Sequence, residues 1–233
     1  MAHVPRCLVD DLSPAIVPLP EASRRHLLTV LRLQTGGELL LHDGRGGLAH
    51  AELLEGARAR IVSREAPAPP GPAVVLAVAV PRLPRLEWLV EKAAELEVAR
   101  LVLLRTRHGE RDLSPARGDR LQRLADEALL QCGRRHRLEI RGPCELDEAL
   151  AQRGDAVPWL AVPPRDGARA PQGPAPAAVL ACVGPEGGFA PEEEQLLRAA
   201  GAQPVALGRT VLRVETAALA LAVLAVERLG TRG

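Results

Sequence analysis

Apolar and polar positions follow two different rhythms on either side of residue 70. Ahead of it, short apolar runs at Glu38 to His42 and Leu48 to Leu54 flank the turn-rich Asp43-Gly44-Arg45-Gly46-Gly47, the pattern of a hairpin. A further strand is predicted at Arg58 to Ser63. Leu27, Leu28, Val30, Leu31 and Leu33 recur among Arg24, Arg25, His26 and Arg32, which predicts one short helix over Glu21 to Leu33. These elements predict a small β-barrel carrying a helix. Beyond residue 73, apolar runs at Val74 to Val80, Arg100 to Arg105, Leu138 to Ile140, Val157 to Val162, Val179 to Val183 and Pro204 to Leu207 read as strands. They alternate with helical stretches at Leu86 to Val98, Ala116 to Gln131, Leu146 to Arg153, Pro191 to Ala200 and Glu215 to Leu229. Unbroken apolar strands imply burial on both faces, and the alternation implies a parallel α/β sheet. Between the two regimes lies Ala66-Pro67-Ala68-Pro69-Pro70-Gly71-Pro72, where clustered prolines remove backbone donors and favour extended chain. The expected domains are therefore residues 1–70 and 73–233. The Pro/Ala/Gly-biased Pro163 to Pro176 reads as a flexible loop.

Composition narrows the chemistry. A chain of 233 residues suits one small and one medium domain, and 47% hydrophobic with 25% charged residues is ordinary for a soluble globular protein. No apolar run reaches the roughly 18 to 20 residues that cross a bilayer. Met1 to Asp10 lacks the layout of a signal peptide, so a cytoplasmic chain without a membrane partner is expected. Cys7, Cys132, Cys144 and Cys182 are far apart and form no CxxC pair, which predicts buried free thiols and neither a zinc site nor a disulfide framework. The formal net charge of +1 carries no global nucleic-acid signature, yet Lys92 is the sole lysine among 30 basic residues. Arginine binds phosphate bidentately and stacks on bases, which keeps RNA open as a partner. With aromatic residues at 1% and no tyrosine, a base-stacking platform of the RRM or OB type loses nearly all support, so any RNA contact is expected to rely on arginine and backbone.

Two segments carry candidate chemistry. Val183-Gly184-Pro185-Glu186-Gly187-Gly188-Phe189 follows a buried strand and precedes a helix opened by Pro191 with Glu192, Glu193 and Glu194. Glycines let backbone approach a ligand, and an acidic first turn suits the positive helix end while repelling a phosphate there. Neither GxxxxGK[ST] nor GxGxxG is present, so P-loop and nicotinamide enzymes lose support. The second segment, Leu207-Gly208-Arg209-Thr210-Val211-Leu212-Arg213-Val214-Glu215-Thr216-Ala217-Ala218, is again strand end, loop and helix. Ligands of open α/β sheets gather at such carboxyl ends. On spacing alone, a plain strand-to-helix turn fits the first segment as well as a ligand loop does. Arg213 and Glu215 also fit an ordinary helix-start ion pair. The final helix is so rich in alanine, leucine and valine that it must be buried, within the domain or against another subunit.

Together these segments resemble the knotted SPOUT methyltransferases, specifically the ribosomal RNA small subunit methyltransferase E family, with its GPEGG and LG..(I/V)LR.ETA motifs. Glu91-Lys92-Ala93-Ala94-Glu95-Leu96 is similar to the family's KxxELG stretch, Gln131-Cys132-Gly133-Arg134 to its EQCGR, and Leu31-Arg32 matches in the N-terminal helix. This chain departs from the family pattern at Glu97, where glycine is usual, at Leu130 (glutamate), Leu138 (proline) and Val214 (threonine).

The resemblance implies a PUA-like β-barrel and a SPOUT α/β domain with a trefoil knot, binding S-adenosylmethionine. It also implies a homodimer that methylates N3 of a uridine in 16S rRNA, expected within an assembled small subunit. Carried onto this chain, the cofactor would meet Val183, Gly184, Pro185, Glu186, Gly187, Gly188, Leu207, Gly208, Val211, Leu212 and Arg213, with Leu160 and Ala161 closing the site. Arg213, Glu215 and Glu186 are the catalytic candidates: Arg213 for charge on the uracil carbonyls, and Glu215 as a proton acceptor or loop anchor. Arg24, Arg32, Arg82, Lys92, Arg105, Arg107 and Arg134 are the candidate RNA contacts, each of which also fits a solvated surface. No metal is expected. The rival readings are a SPOUT enzyme for another RNA, a non-catalytic ribosome-assembly protein and, last, a metabolic nucleotide-binding enzyme.

Overall fold

The computed structural model describes residues 4–109, 113–164, 171 and 174–230; most of the loop expected between Pro163 and Pro176 lies outside them. Contacts divide the chain into two units, one of Met1–Pro70 with Leu129–Arg137, the other of Gly71–Ala128 with Leu138–Gly233.

In the first unit a five-stranded sheet runs in the order β1 (Arg6–Leu8), β3 (Glu38–His42), β4 (Leu48–Leu54), β5 (Arg58–Arg64), β2 (Ile16–Pro18). β1 pairs parallel to β3 and all other pairs are antiparallel. The sheet curls around Cys7, Val17, Leu39, Leu41, Ala51, Leu53 and Ala59, and Leu27 packs into the same core. The expected helix is shorter and irregular: α1 (Glu21–Arg25) runs into a π-helical turn, His26–Val30, and only Leu27 of its apolar residues is buried. The segment Leu129–Arg137 joins this unit through particular bonds. Arg6 Nη1 donates to Leu130 O and Gln131 O at 2.8 and 3.0 Å, Arg135 pairs with Glu65, and the His136 ring meets Ala68 O at 3.0 Å. Gly133 sits at φ 80°, a conformation glycine adopts without strain, and a Cβ there would crowd the Arg6 guanidinium at 3.2 Å.

His42 is 2% exposed, and neither ring nitrogen has a hydrogen-bond partner among the described residues. Burial first, and then the guanidiniums of Arg6 and Arg135, push its pKa down from 6.5 to about 4. The folded state thus holds it neutral, so its contribution is complete above the unfolded value and is lost as pH falls from 6.5 towards 4. A shift of this size is worth on the order of 3 kcal/mol. Urea unfolding at pH 7 and pH 4 should show the wild type losing more stability than His42→Leu by about that amount. An equal acid loss in both proteins would contradict it.

The second unit is a six-stranded, wholly parallel sheet in the order β11 (Gln203–Ala206), β9 (Val157–Val162), β10 (Val179–Val183), β6 (Val74–Ala79), β7 (Arg100–Arg105), β8 (Glu139–Glu145). β6, β9 and β10 are apolar throughout because both faces are covered, whereas β7, β8 and β11 carry polar or charged residues such as Arg100, Glu139 and Gln203. Val74, Leu76, Val78, Leu101, Leu103, Trp159 and Ala181 face α2 (Leu83–Glu95), α3 (Pro115–Cys132) and α6 (Val214–Gly230). Ala77, Val102, Leu104, Leu180 and Cys182 face α4 (Leu146–Ala151) and α5 (Pro191–Ala199). The alanines of α6 are the reason it lies close on the strands: Ala217, Ala218, Leu221, Ala222 and Ala225 are buried, while Val223 and Leu224 remain exposed. Of the thiols, Cys7 and Cys182 are buried, whereas Cys132 is exposed and Cys144 half-buried, so the expectation of buried thiols fails for these two.

Helix α2 ends in a Schellman turn, with Val98 N–H donating to Ala93 O and Glu97 N–H to Ala94 O. That geometry puts Glu97 at φ 59°, the left-handed conformation that glycine adopts without strain. The family's usual glycine at this position therefore has a backbone reason. Glu97→Gly should raise stability by roughly 0.5 to 1 kcal/mol, and Glu97→Ala should not, as read from thermal unfolding.

Candidate functional site

Because the sheet is parallel, its carboxyl ends lie on one side, and the loops that leave them meet there. β11, β9 and β10 are neighbours, so Leu160 and Ala161, Val183 and Gly184, and Leu207 and Gly208 sit at three adjacent strand ends. Leu160, Ala161, Leu207 and Leu212 are half-buried, and Gly208 and Val211 are exposed. Gly208, at φ 149°, and Gly188, at φ 76°, would each direct a Cβ into open space. Half-buried apolar side chains and glycine backbone meet at these strand ends, Ala161, Leu207 and Leu212 on the α6 face of the sheet and Leu160 on the α5 face, a cradle whose chemistry suits a flat apolar ring with polar edges.

Beside this cradle, on the ends of β6, β7 and β10, lies a cavity of about 530 Å³ lined by Val80, Pro81, Arg82, Arg85, His108, Gly109, Glu186 and Arg213. Three arginines face one carboxylate there, so the cavity suits a ligand that carries or develops negative charge. Its loops are braced. The Glu193 carboxylate accepts from Ala190 N at 2.7 Å, capping α5, and from Arg107 N at 3.0 Å, while the His108 ring meets Gly188 O at 3.1 Å. The acidic first turn of α5 thus serves the loop architecture.

Arg85 joins the two candidate carboxylates. Its Nη1 donates to Glu186 Oε1 at 3.1 Å and its Nε lies 3.6 Å from Glu215 Oε1. Glu215 is 7% exposed, stands outside the cavity lining, and its Oε2 has no hydrogen-bond partner among the described residues. The two carboxylates therefore differ: Glu186 is exposed in the cavity, and Glu215 is buried behind Arg85. The ion pair conceivable between Arg213 and Glu215 is absent among the described residues; Glu215 faces Arg85 instead.

Of the residues singled out from sequence, Glu186, Arg213 and Arg82 line the cavity, Gly187 lies against His108 beside it, and Leu160, Ala161, Val183, Gly184, Leu207 and Gly208 sit at the neighbouring ends of β9, β10 and β11. Lys92 is held on α2 by Glu91 and Glu95 at 2.8 and 2.7 Å, and Arg105 stands 3.9 Å from Glu145. Arg107 is exposed beside the cavity loop. Arg24, paired with Glu21 at 2.8 Å, Arg32 and Arg134 belong to the first unit. Arg85 and His108 were not anticipated. The hydrophobic pattern starts the helix at Leu86, whereas α2 starts at Leu83, so Arg85 lies in its first turn and lines the cavity. No group of three His, Cys, Asp or Glu among the described residues is placed to hold a metal.

Residues 69–226 match the family model of the RNA methyltransferase domain, and residues 19–62 that of the RNA methyltransferase PUA domain. A ribosomal RNA small subunit methyltransferase E of Synechocystis sp. is 31% identical over 221 residues, covering 89% of this chain and 72% of the relative. The chain belongs to the ribosomal RNA small subunit methyltransferase E family. It is an RNA methyltransferase with a PUA domain ahead of an α/β domain. A crystal structure of a family member from Neisseria gonorrhoeae, bound to S-adenosylmethionine, is 28% identical with a TM-score of 0.80 and 98% of each chain covered. A probable rRNA methyltransferase from Porphyromonas gingivalis is 29% identical with a TM-score of 0.83, again over 98% of both chains.

Proposed function

We propose that this protein transfers a methyl group from S-adenosylmethionine to N3 of a uridine in 16S ribosomal RNA of the small subunit. The observation that carries the reading is the pairing of an apolar, glycine-edged cradle with an arginine-lined cavity at the same sheet edge. The cradle residues fit the cofactor: Leu160, Ala161, Leu207 and Leu212 supply apolar walls, and the backbone of Val183 to Gly188, Leu207, Gly208, Val211 and Arg213 supplies polar edges. When bound there, the cofactor supplies an electrophilic methyl group on a sulfonium sulfur.

The chain's own part is to hold the base and manage charge. Uridine N3 carries a proton and lies on the pairing edge, so the target base must enter unpaired. Glu186, the carboxylate that lines the cavity, takes the N3 proton, leaving its electron pair on N3 for the methyl group. Loss of that proton spreads negative charge over the uracil carbonyls, and Arg213 stabilises it. Glu215, buried and outside the lining, serves as an anchor. Arg24, Arg32 and Arg134 in the first unit, and Arg82, Lys92, Arg105 and Arg107 in the second, are the proposed RNA contacts. Domains at 1–70 and 73–233, a trefoil knot in the second, a cytoplasmic location and an assembled subunit as substrate complete the reading. Exposed Val223 and Leu224 on α6, whose sheet-facing side is buried, support a homodimer.

The test incubates the protein and labelled S-adenosylmethionine with unmethylated small subunits, large subunits and transfer RNA, and identifies the product nucleoside by mass spectrometry. Label as 3-methyluridine in small-subunit RNA alone is expected. Label in another nucleoside or RNA would overturn the assignment.

A further inference from the structure

Negative charge on a uracil deprotonated at N3 is shared by two carbonyl oxygens, one on each side of the nitrogen, so a single cation serves only half of it. The cavity offers a second cation on a different element. Arg85 comes from the first turn of α2 and Arg213 from the loop before α6, and both line the same space. Arg85 is also restrained as a charge-stabilising group must be. Glu186 takes Nη1 at 3.1 Å, Glu215 lies 3.6 Å from Nε, and Nη2 has no partner among the described residues. A guanidinium held in place before the reaction needs no reorganisation when charge develops. The anchor is itself informative. Glu215 is 7% exposed, and a buried carboxylate without a countercharge is costly, so Arg85 and Glu215 hold each other in place.

We propose that Arg85 is the second cation of the methyl-transfer cavity, fixed by Glu215 and Glu186 so that it neutralises the uracil carbonyl not served by Arg213. This rests on the N3-uridine reading above. The recognised species is accordingly an unpaired pyrimidine that ionises at N3.

The experiment compares wild type, Arg85→Gln and Arg85→Lys in single-turnover methylation of unmethylated small subunits across pH, and repeats it on subunits whose RNA carries 5-fluorouridine, in which fluorine makes N3 more acidic. Arg85→Gln should be slower by roughly 100-fold. Its rate should rise with pH over a range where the wild type has levelled off, and 5-fluorouridine should restore most of the loss, because a more acidic base needs less help. Arg85→Lys should recover part of the rate. A loss of the same size at every pH and on both substrates would mark a merely structural role and overturn the proposal, as would a rate within threefold of wild type. Wild type that makes no 3-methyluridine would instead remove the reading on which the proposal rests, and the proposal with it.

A readout independent of turnover tests the anchor. In thermal unfolding, Arg85→Gln should lower Tm by roughly 3 to 6 °C, and adding Glu215→Gln should recover most of it, since the carboxylate then needs no partner. Additive losses in the double variant would overturn the anchoring.

Discussion

Arg213→Ala is expected to bind S-adenosylhomocysteine within a few-fold of wild type by calorimetry and to lose roughly 100- to 1,000-fold in the single-turnover methylation rate. The reasoning is geometric. The Arg213 side chain lines the cavity with Glu186 and Arg85, whereas the cradle beside it is walled by Leu160, Ala161, Leu207 and Leu212. The residue's structural duty is carried by its backbone: Arg213 O accepts from Ala217 N at 2.8 Å in the first turn of α6, a bond that alanine keeps. Removing the guanidinium thus leaves the helix start intact and removes charge that matters only once the base becomes anionic. A transition-state interaction lost without a ground-state one lowers kcat and kcat/KM together and leaves KM unchanged. Normal kinetics would refute the role, and a raised KM at normal kcat would make Arg213 an RNA-binding residue instead.

Much of the second unit was legible because its physics is repetitive. Strands such as Val74–Ala79 and Val179–Val183 are apolar at each position, and that pattern survives without tertiary information. Elements set by context were harder to read. β1 and β2 have three residues each, too few for alternation to show, and β2 is exposed at Ile16 and Pro18. β8 was expected only to Ile140 but continues through Arg141-Gly142-Pro143-Cys144, because an edge strand has one neighbour and need not be apolar. In α1 and its π-helical turn, Leu27, Leu28, Val30 and Leu31 look equivalent in sequence, yet burial selects Leu27 alone.

The same contrast holds at the site. Both motif loops are marked by glycines between a strand and a helix, so their place at the strand ends followed from local signals. Arg85 and His108 carry no such mark, since they line the cavity only after loops distant in sequence are brought together. The burial of Glu215 was equally invisible, because a charged residue at a helix start ordinarily faces water. What separates it from Glu186 is its place behind Arg85.

Gly208→Val is expected to weaken S-adenosylhomocysteine binding by about 100-fold or more, with only a modest fall in Tm. Gly208 occupies φ 149°, where a side chain strains the backbone, and a β-branched one does so most. Nothing lies within 4 Å of the position its Cβ would take, so the fold itself meets no clash, and the new methyl groups project into the space beside the strand ends. Two costs then act on binding: the loop shifts to relieve strain of about 1 to 3 kcal/mol, and the side chain occupies the cradle. Gly208→Ala separates them, because it adds strain with less bulk and should lose less affinity than valine. If Gly208→Val binds normally while methylation fails, the loop serves the RNA and the cofactor lies elsewhere. If both variants simply unfold, the strain is global and Gly208 is a folding residue. The expected pattern, graded loss of binding from glycine to alanine to valine in a folded protein, follows only if the ends of β9, β10 and β11 hold the methyl donor.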